Sequence, residues 1–190
     1  MYFVMERDGT RPGRWVDEYP FLKGVRFTRG SRITAPVPQP LEIKLKPLNP
    51  DADDHGPEIP EYLQGRIPLF RRDLVDAMVA AGVDNLELYD AVLVDPDDGA
   101  RHETHVAVNI IGTIAAADMG QSVATVHTGG PVIDVDFDRL VVDESRTGGA
   151  LLFRLAESTN AILVHERLRD ALLAAGFRNI AFYDPKDVAL

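Results

Sequence analysis

The string that comes nearest to a metal motif is His102-Glu-Thr-His105. A zincin helix needs His-Glu-x-x-His to set both imidazoles on one face, and this spacing is one residue short. On a strand the two rings point to opposite faces, so a hairpin with polar edge residues is the simpler reading. Asp95-Pro-Asp-Asp-Gly99 has the acidic density of a calcium loop, but its glycine comes one place early and Val106 stands where the closing glutamate belongs. Asp134, Asp136 and Asp138 alternate along an expected strand and share a face, where a solvated edge is a simpler account than acid–base work. His127, beside Thr128-Gly-Gly130, reads as a surface histidine in a loop. No Gly-x-Ser-x-Gly elbow surrounds Ser122, Ser145 or Ser158, and no Gly-Lys-Ser/Thr phosphate loop is present. Gly129-Gly130 and Gly148-Gly149 read as turns. The chain has no cysteine, which excludes a disulfide framework, a thiolate metal site and a cysteine nucleophile. The expectation is a protein with no catalytic residues, no metal and no cofactor.

What stands out instead is charge. The 190 residues carry 20 Lys plus Arg against 30 Asp plus Glu, a formal net charge of -10. That balance argues against direct binding of nucleic acid or an anionic membrane, both of which select basic surfaces. Residues 1–50 hold 9 basic and 5 acidic groups, whereas residues 51–100 hold 3 basic and 13 acidic. Residues 101–150 add 3 basic and 7 acidic, and residues 151–190 hold 5 of each. The acidity therefore belongs to the middle of the chain. It gathers at Asp51, Asp53, Asp54, Glu58 and Glu61, and again at Asp90, Asp95, Asp97, Asp98 and Glu103. A solvated surface of loops and turns accounts for such clusters, and so does a surface that docks onto a basic partner. The candidate partner-binding residues are Asp51, Asp53, Asp54, Glu58, Glu61, Asp95, Asp97, Asp98 and Glu103.

The elements that would position these groups centre on an internal repeat. Leu74–Asp90 aligns with Leu168–Asp184 at a constant offset, and 9 of the 17 pairs are identical. Leu74, Ala77, Met78 and Ala81 recur at helical spacing, as do Leu168, Ala171, Leu172 and Ala175, so each copy predicts one apolar helix face. Gly82 and Gly176 stand where a left-handed residue ends a helix. Each copy follows an apolar run, Pro68–Phe70 or Ala161–Val164, and leads into another, Leu86–Leu88 or Ile180–Phe182. The expected fold is α+β: a mixed sheet with two related strand–helix–strand units, about 68–90 and 162–184, joined by a β-rich middle. Strands are expected at Tyr2–Met5, Ala91–Val94, Thr104–Ile111, Pro131–Phe137, Leu140–Val142 and Ala150–Leu155, with a hairpin turn at Asp95–Gly99 and a helical turn at Ile114–Asp118. Residues 36–68 hold eight prolines and read as an extended connector with one edge strand at Leu41–Lys46. Residues 8–35 mix glycines with many arginines and show no period. The whole chain, 1–190, is expected to form one domain, with 1–67 irregular and 68–190 the duplicated core. With no apolar run near the ~18 residues that span a bilayer and no basic–apolar leader at the start, the expected compartment is the cytoplasm.

Several strings occur together in a familiar order: Val106-Ala-Val-Asn-Ile-Ile111, Ala117-Asp118 with Gln121-Ser122, Leu152-Phe-Arg-Leu-Ala-Glu157, Ile162-Leu-Val-His-Glu-Arg-Leu-Arg169 and Ile180-Ala-Phe-Tyr-Asp-Pro185. Over roughly residues 60–185 the chain resembles the eleventh immunity family of bacterial polymorphic toxin systems, a myxobacterial-type immunity protein. His165 departs from the serine expected to cap the second helix. The resemblance implies a protein that binds a cognate toxin domain and blocks it without catalysis. Joined to the acidic middle, it suggests a basic, nucleic-acid-cleaving toxin covered at its active site. Two other classes stay open: a small-molecule-binding or enzymatic domain with a site between the repeat units, and a module that self-associates through a sheet edge, the oligomeric state being undetermined by sequence.

Overall fold

The computed structural model describes residues 1–127 and 134–190. In chain order the elements are β1 (Tyr2–Arg7), β2 (Val16–Glu18), β3 (Leu41–Leu45), β4 (Tyr62–Leu63), β5 (Leu69–Arg71), α1 (Arg72–Ala80), β6 (Leu86–Val94), β7 (Arg101–His102), β8 (His105–Ile110), β9 (Thr113–Ile114), β10 (Val123–His127), β11 (Asp134–Arg139), a 3-10 turn (Glu144–Arg146), β12 (Leu152–Leu155), β13 (Ile162–His165), α2 (Glu166–Ala174) and β14 (Ile180–Tyr183). The fold is mostly β with two helices. In place of a single mixed sheet, the strands divide into sheets ordered β14-β1-β13-β12-β9, β10-β11 and β2-β3-β6-β8-β5-β4, with β7 also on β6.

Each helix connects two strands that flank a third. β5 and β6 both pair antiparallel with β8, and β13 and β14 both pair antiparallel with β1. The registers correspond: Phe70↔Val106 and Leu86↔Ile110 in one unit, Val164↔Phe3 and Ile180↔Arg7 in the other. Gly82 (φ +104°) and Gly176 (φ +89°) end the helices in the left-handed conformation that an L side chain rarely adopts. α1 buries Leu74, Val75 and Met78, while α2 buries only Leu168 and Leu172. Ala171 and Ala175, expected on the apolar face, are exposed. Both helices join one cluster with Phe70, Val106, Val108 and Ile110 of one sheet and Met5, Leu152 and Val164 of the other. Each fully buried Leu here contributes about 1.5–3 kcal/mol.

The outer faces of the two sheets have their own covers. Tyr2, Val4, Phe153 and Leu163 pack beneath Val135 and Phe137 of β11. Leu41, Ile43, Leu69 and Leu93 pack beneath Phe27, with Leu22, Val25 and Ile33 of the arginine-rich segment against them. Every residue of β8 and β12 is buried, including His105, Asn109 and Arg154, because both faces of these strands are covered.

Several local expectations are corrected. Leu41–Leu45 is an interior strand between β2 and β6, and its alternating burial comes from one covered face. Ile114–Asp118 is not helical: Thr113–Ile114 pairs parallel with β12, and Ala117 makes an isolated bridge to Val142. That bridge is the only pairing in Leu140–Val142 among the described residues, because Leu140 is turned into the core beneath β11. The Pro131–Phe137 strand is described from Asp134 onward; residues 131–133 and the Gly129-Gly130 turn lie outside the described residues.

Candidate functional site

Arg14 organises the acidic surface, although its side chain is only 2 % exposed. The preceding residue must be small, since a Cβ on Gly13 would meet Pro60 Cγ at 2.9 Å and the Glu58 carbonyl oxygen at 3.1 Å. That close approach lets residues 54–58 run alongside: Gly13 N donates to the Asp54 carbonyl at 3.1 Å and Arg14 N to the Glu58 carbonyl at 2.8 Å. On its other side the Arg14 guanidinium forms a fork, Nη1 to Asp97 at 2.6 Å and Nη2 to Asp95. Asp97 also accepts Leu48 N at 3.0 Å. The main chain at Gly13 and Arg14 thus holds the strap, the Arg14 guanidinium holds the turn 95–99, and Asp97 links the two through Leu48 N. The Arg14 hydrogen bond, with that of Leu48 N, holds the Asp97 carboxyl below the usual carboxylate range.

The turn closes on its own acids. Asp95 Oδ1 accepts Asp97 N at 2.9 Å, Asp98 Oδ1 accepts Ala100 N at 2.8 Å, and Gly99 adopts φ +74°. The expected β6–β7 hairpin connection is thus an aspartate-built turn.

The nine candidate acids sort by what they touch. Asp51, Asp53, Asp54, Asp98 and Glu103 are exposed and make no ion pair among the described residues. Glu58 is exposed and accepts Asn179 Nδ2 at 3.4 Å. Asp95 and Asp97 are partly neutralised by Arg14. Glu61 differs from the rest: it is 5 % exposed, and its carboxylate accepts Arg178 N at 3.3 Å and Asn179 N at 3.0 Å. It ties β4 to the end of α2 and belongs to the fold. Glu103 stands apart from the strap, at the start of α1, where its carbonyl accepts Arg72 Nε at 3.2 Å. Asp90 is taken up by Arg72 at 3.0 Å. Leu48, 41 % exposed, supplies an apolar group on the acidic strap. Sequence reasoning missed Arg14, whose only local signal is the Gly-Arg pair inside an aperiodic segment.

The groups considered for catalysis fall elsewhere. His105 is 1 % exposed, its Nε2 2.8 Å from the Pro60 carbonyl and its Nδ1 2.9 Å from Thr104 Oγ1. Burial pushes this imidazole below its usual range, so it is neutral and structural. Asp136 and Asp138 lie on the exposed face of β11, with Asp136 2.7 Å from His127 Nε2. No group of three or more potential metal ligands occurs among the described residues. Asp118 and Ser122 build a turn: Asp118 Oδ1 accepts Gly120 N at 3.0 Å, and Ser122 Oγ accepts Val141 N at 2.9 Å. His165 takes the capping role in place of serine, its Nδ1 accepting Arg167 N at 3.2 Å.

Among the described residues no helix is long and apolar enough to cross a membrane. The model of the immunity protein family Imm11 matches residues 72–187, from the first residue of α1 to beyond β14. No curated protein matches the chain.

Proposed function

Because the chain belongs to the immunity protein family Imm11, whose members are typically non-enzymatic and neutralise toxins, we propose that it covers the active site of a cognate bacterial toxin with the acidic surface gathered on Arg14. The observation that carries this reading is the meeting of two acidic segments, distant in sequence, at Arg14, whose main chain bonds one and whose buried guanidinium pairs with the other. Asp51, Asp53, Asp54 and Asp98 remain outside that pairing. Long-range attraction from these carboxylates raises the association rate with a basic toxin surface, such as that of a nuclease, while exposed Leu48 supplies an apolar anchor that slows release. The pinned loops also lower the ordering cost of binding. Glu103 extends the same surface toward α1. In this reading the protein acts in the cytoplasm as one domain, and its two helix-bearing units descend from a single ancestor, as their matching registers support.

A catalytic site between the two helices is the less favoured reading, because the cluster they share is built from apolar side chains. The deciding experiment is co-expression with the product of the adjacent gene, reading co-purification and relief of toxicity. The triple variant D51K/D53K/D98K is expected to slow association at least ~10-fold at low salt and much less at high salt. An association rate unchanged at low salt overturns the acidic docking surface.

A further inference from the structure

Arg154 on β12 is 1 % exposed, and no carboxylate ion-pairs with it among the described residues. Its Nη1 donates to the Thr159 carbonyl at 2.8 Å, while Nε and Nη2 have no hydrogen-bond partner in the protein. A buried guanidinium that leaves two donors unanswered is costly, and an ion or water that completes it is one way to meet that cost; Arg7, whose nitrogens are also unpartnered, is instead covered by the Trp15 ring. Burial pushes the Arg154 guanidinium below its usual range, which reflects that cost.

The surroundings are those of a binding site. Arg154 lines a cavity of about 130 Å³ together with Tyr62, Gln64, Thr28 and Asn160. At roughly 30 Å³ per water, that is space for about four water-sized groups. Thr28 also lines a larger, open cavity of about 510 Å³, whose wall carries Lys23, Arg26, Arg29 and Arg66. None of those four cations forms an ion pair among the described residues. In a chain of net charge -10, a cavity wall with four cations and no acidic residue is a local inversion of the field, and it lies next to the Arg154 cavity at Thr28.

We propose that this is an oxyanion-binding site: a small phosphate or carboxylate group enters past Arg26 and Arg29 and is held by the Nε–Nη2 edge of Arg154, with Tyr62 and Gln64 as further polar contacts. The fork geometry of guanidinium matches both anions, which present two oxygens to one edge. The site is opposite in sign to the acidic surface and does not depend on the toxin reading.

The test is titration of the purified full chain with inorganic phosphate and, separately, acetate, in a buffer free of other oxyanions, by calorimetry and thermal unfolding. Saturable binding of either is expected, with a rise of about 5 °C or more in Tm at 100-fold excess over Kd. Phosphate alone marks a tetrahedral ligand and acetate alone a planar one; binding of neither overturns the proposal. R154M is expected to abolish the Tm rise, and R154K to weaken binding ~10-fold through loss of the fork. Should R154M fail to fold, the exposed pair R26E/R29E serves: binding weakened ~10-fold with Tm of the ligand-free protein unchanged supports the electropositive mouth, and unchanged binding overturns it.

Discussion

Arg14 and Arg154 are buried to the same degree, 2 % and 1 % exposed, and their charges are answered in opposite ways. Arg14 is met by two carboxylates delivered by the β6–β7 turn, while the main chain at Gly13 and Arg14 holds residues 54–58. Arg154 is met by one backbone carbonyl and lines a cavity with Tyr62 and Gln64. Arg7 is a third case: 6 % exposed, its side-chain nitrogens have no hydrogen-bond partner, and it is answered by the Trp15 ring, with 3.4 Å between guanidinium carbon and ring centroid. A buried cation met by carboxylates, as Arg14 is although its Nε has no partner, is a structural rivet. One with unanswered donors beside a cavity is a site for something from outside. Burial alone does not distinguish the two; the partner inventory does.

The sharpest way to break this contrast is to remove each charge without removing volume. R14M leaves Asp95 and Asp97 facing each other without their cation and unpins the turn 95–99, and is expected to cost about 3 kcal/mol in urea unfolding. R154M in oxyanion-free buffer is expected to change stability by less than about 1 kcal/mol, or to raise it, because it removes an uncompensated buried charge. Equal losses in the two variants would mean that Arg154 is a rivet as well.

The pH dependence of stability separates the acidic surface from the core. As pH falls below ~6.5 the unfolded chain protonates His105 while the folded protein resists, so stability declines and then levels off once the folded ring takes its proton. H105Q is expected to remove that upper decline. At lower pH, Asp97 contributes stability above the ordinary carboxylate range and loses it as pH falls through its lowered value. R14M is expected to flatten this lower decline while leaving the upper one in place. The smallest effect is expected at the second helix cap: H165A should cost ~0.5–1 kcal/mol and H165S should restore it. In α1 the N-cap residue Arg71 makes no side-chain cap bond, so R71A should show no loss attributable to capping.

Much of the architecture was legible because it is local. Both helices, their terminal glycines and the Asp-Gly hairpin follow from periodicity and turn chemistry, which a single stretch of chain carries in full. The Asp118–Ser122 turn and the acidic strap were visible as strings. What was not legible depends on partners far away in sequence. Nothing around Glu61 marks it as buried; it is buried because Arg178 N and Asn179 N reach it across 117 and 118 residues. Arg14 looked like one arginine among many until Asp95 and Asp97 were placed against it. Leu41–Leu45 read as an edge strand from its prolines, and became an interior one because β2, three residues in an aperiodic segment, covers its outer side.

The middle strand of the second unit is β1, residues 2–7, while the strands on either side of it come from residues 162–165 and 180–183. The first unit is completed by β8, a hairpin away. The two units therefore differ in when they can close. During synthesis the first can assemble from contiguous chain, but the second must wait until more than nine-tenths of the described sequence has emerged and the opening strand is threaded between β13 and β14. The Met5 side chain from that strand enters the cluster shared by both helices together with Ile180, so the common core is sealed by strands far apart in the sequence.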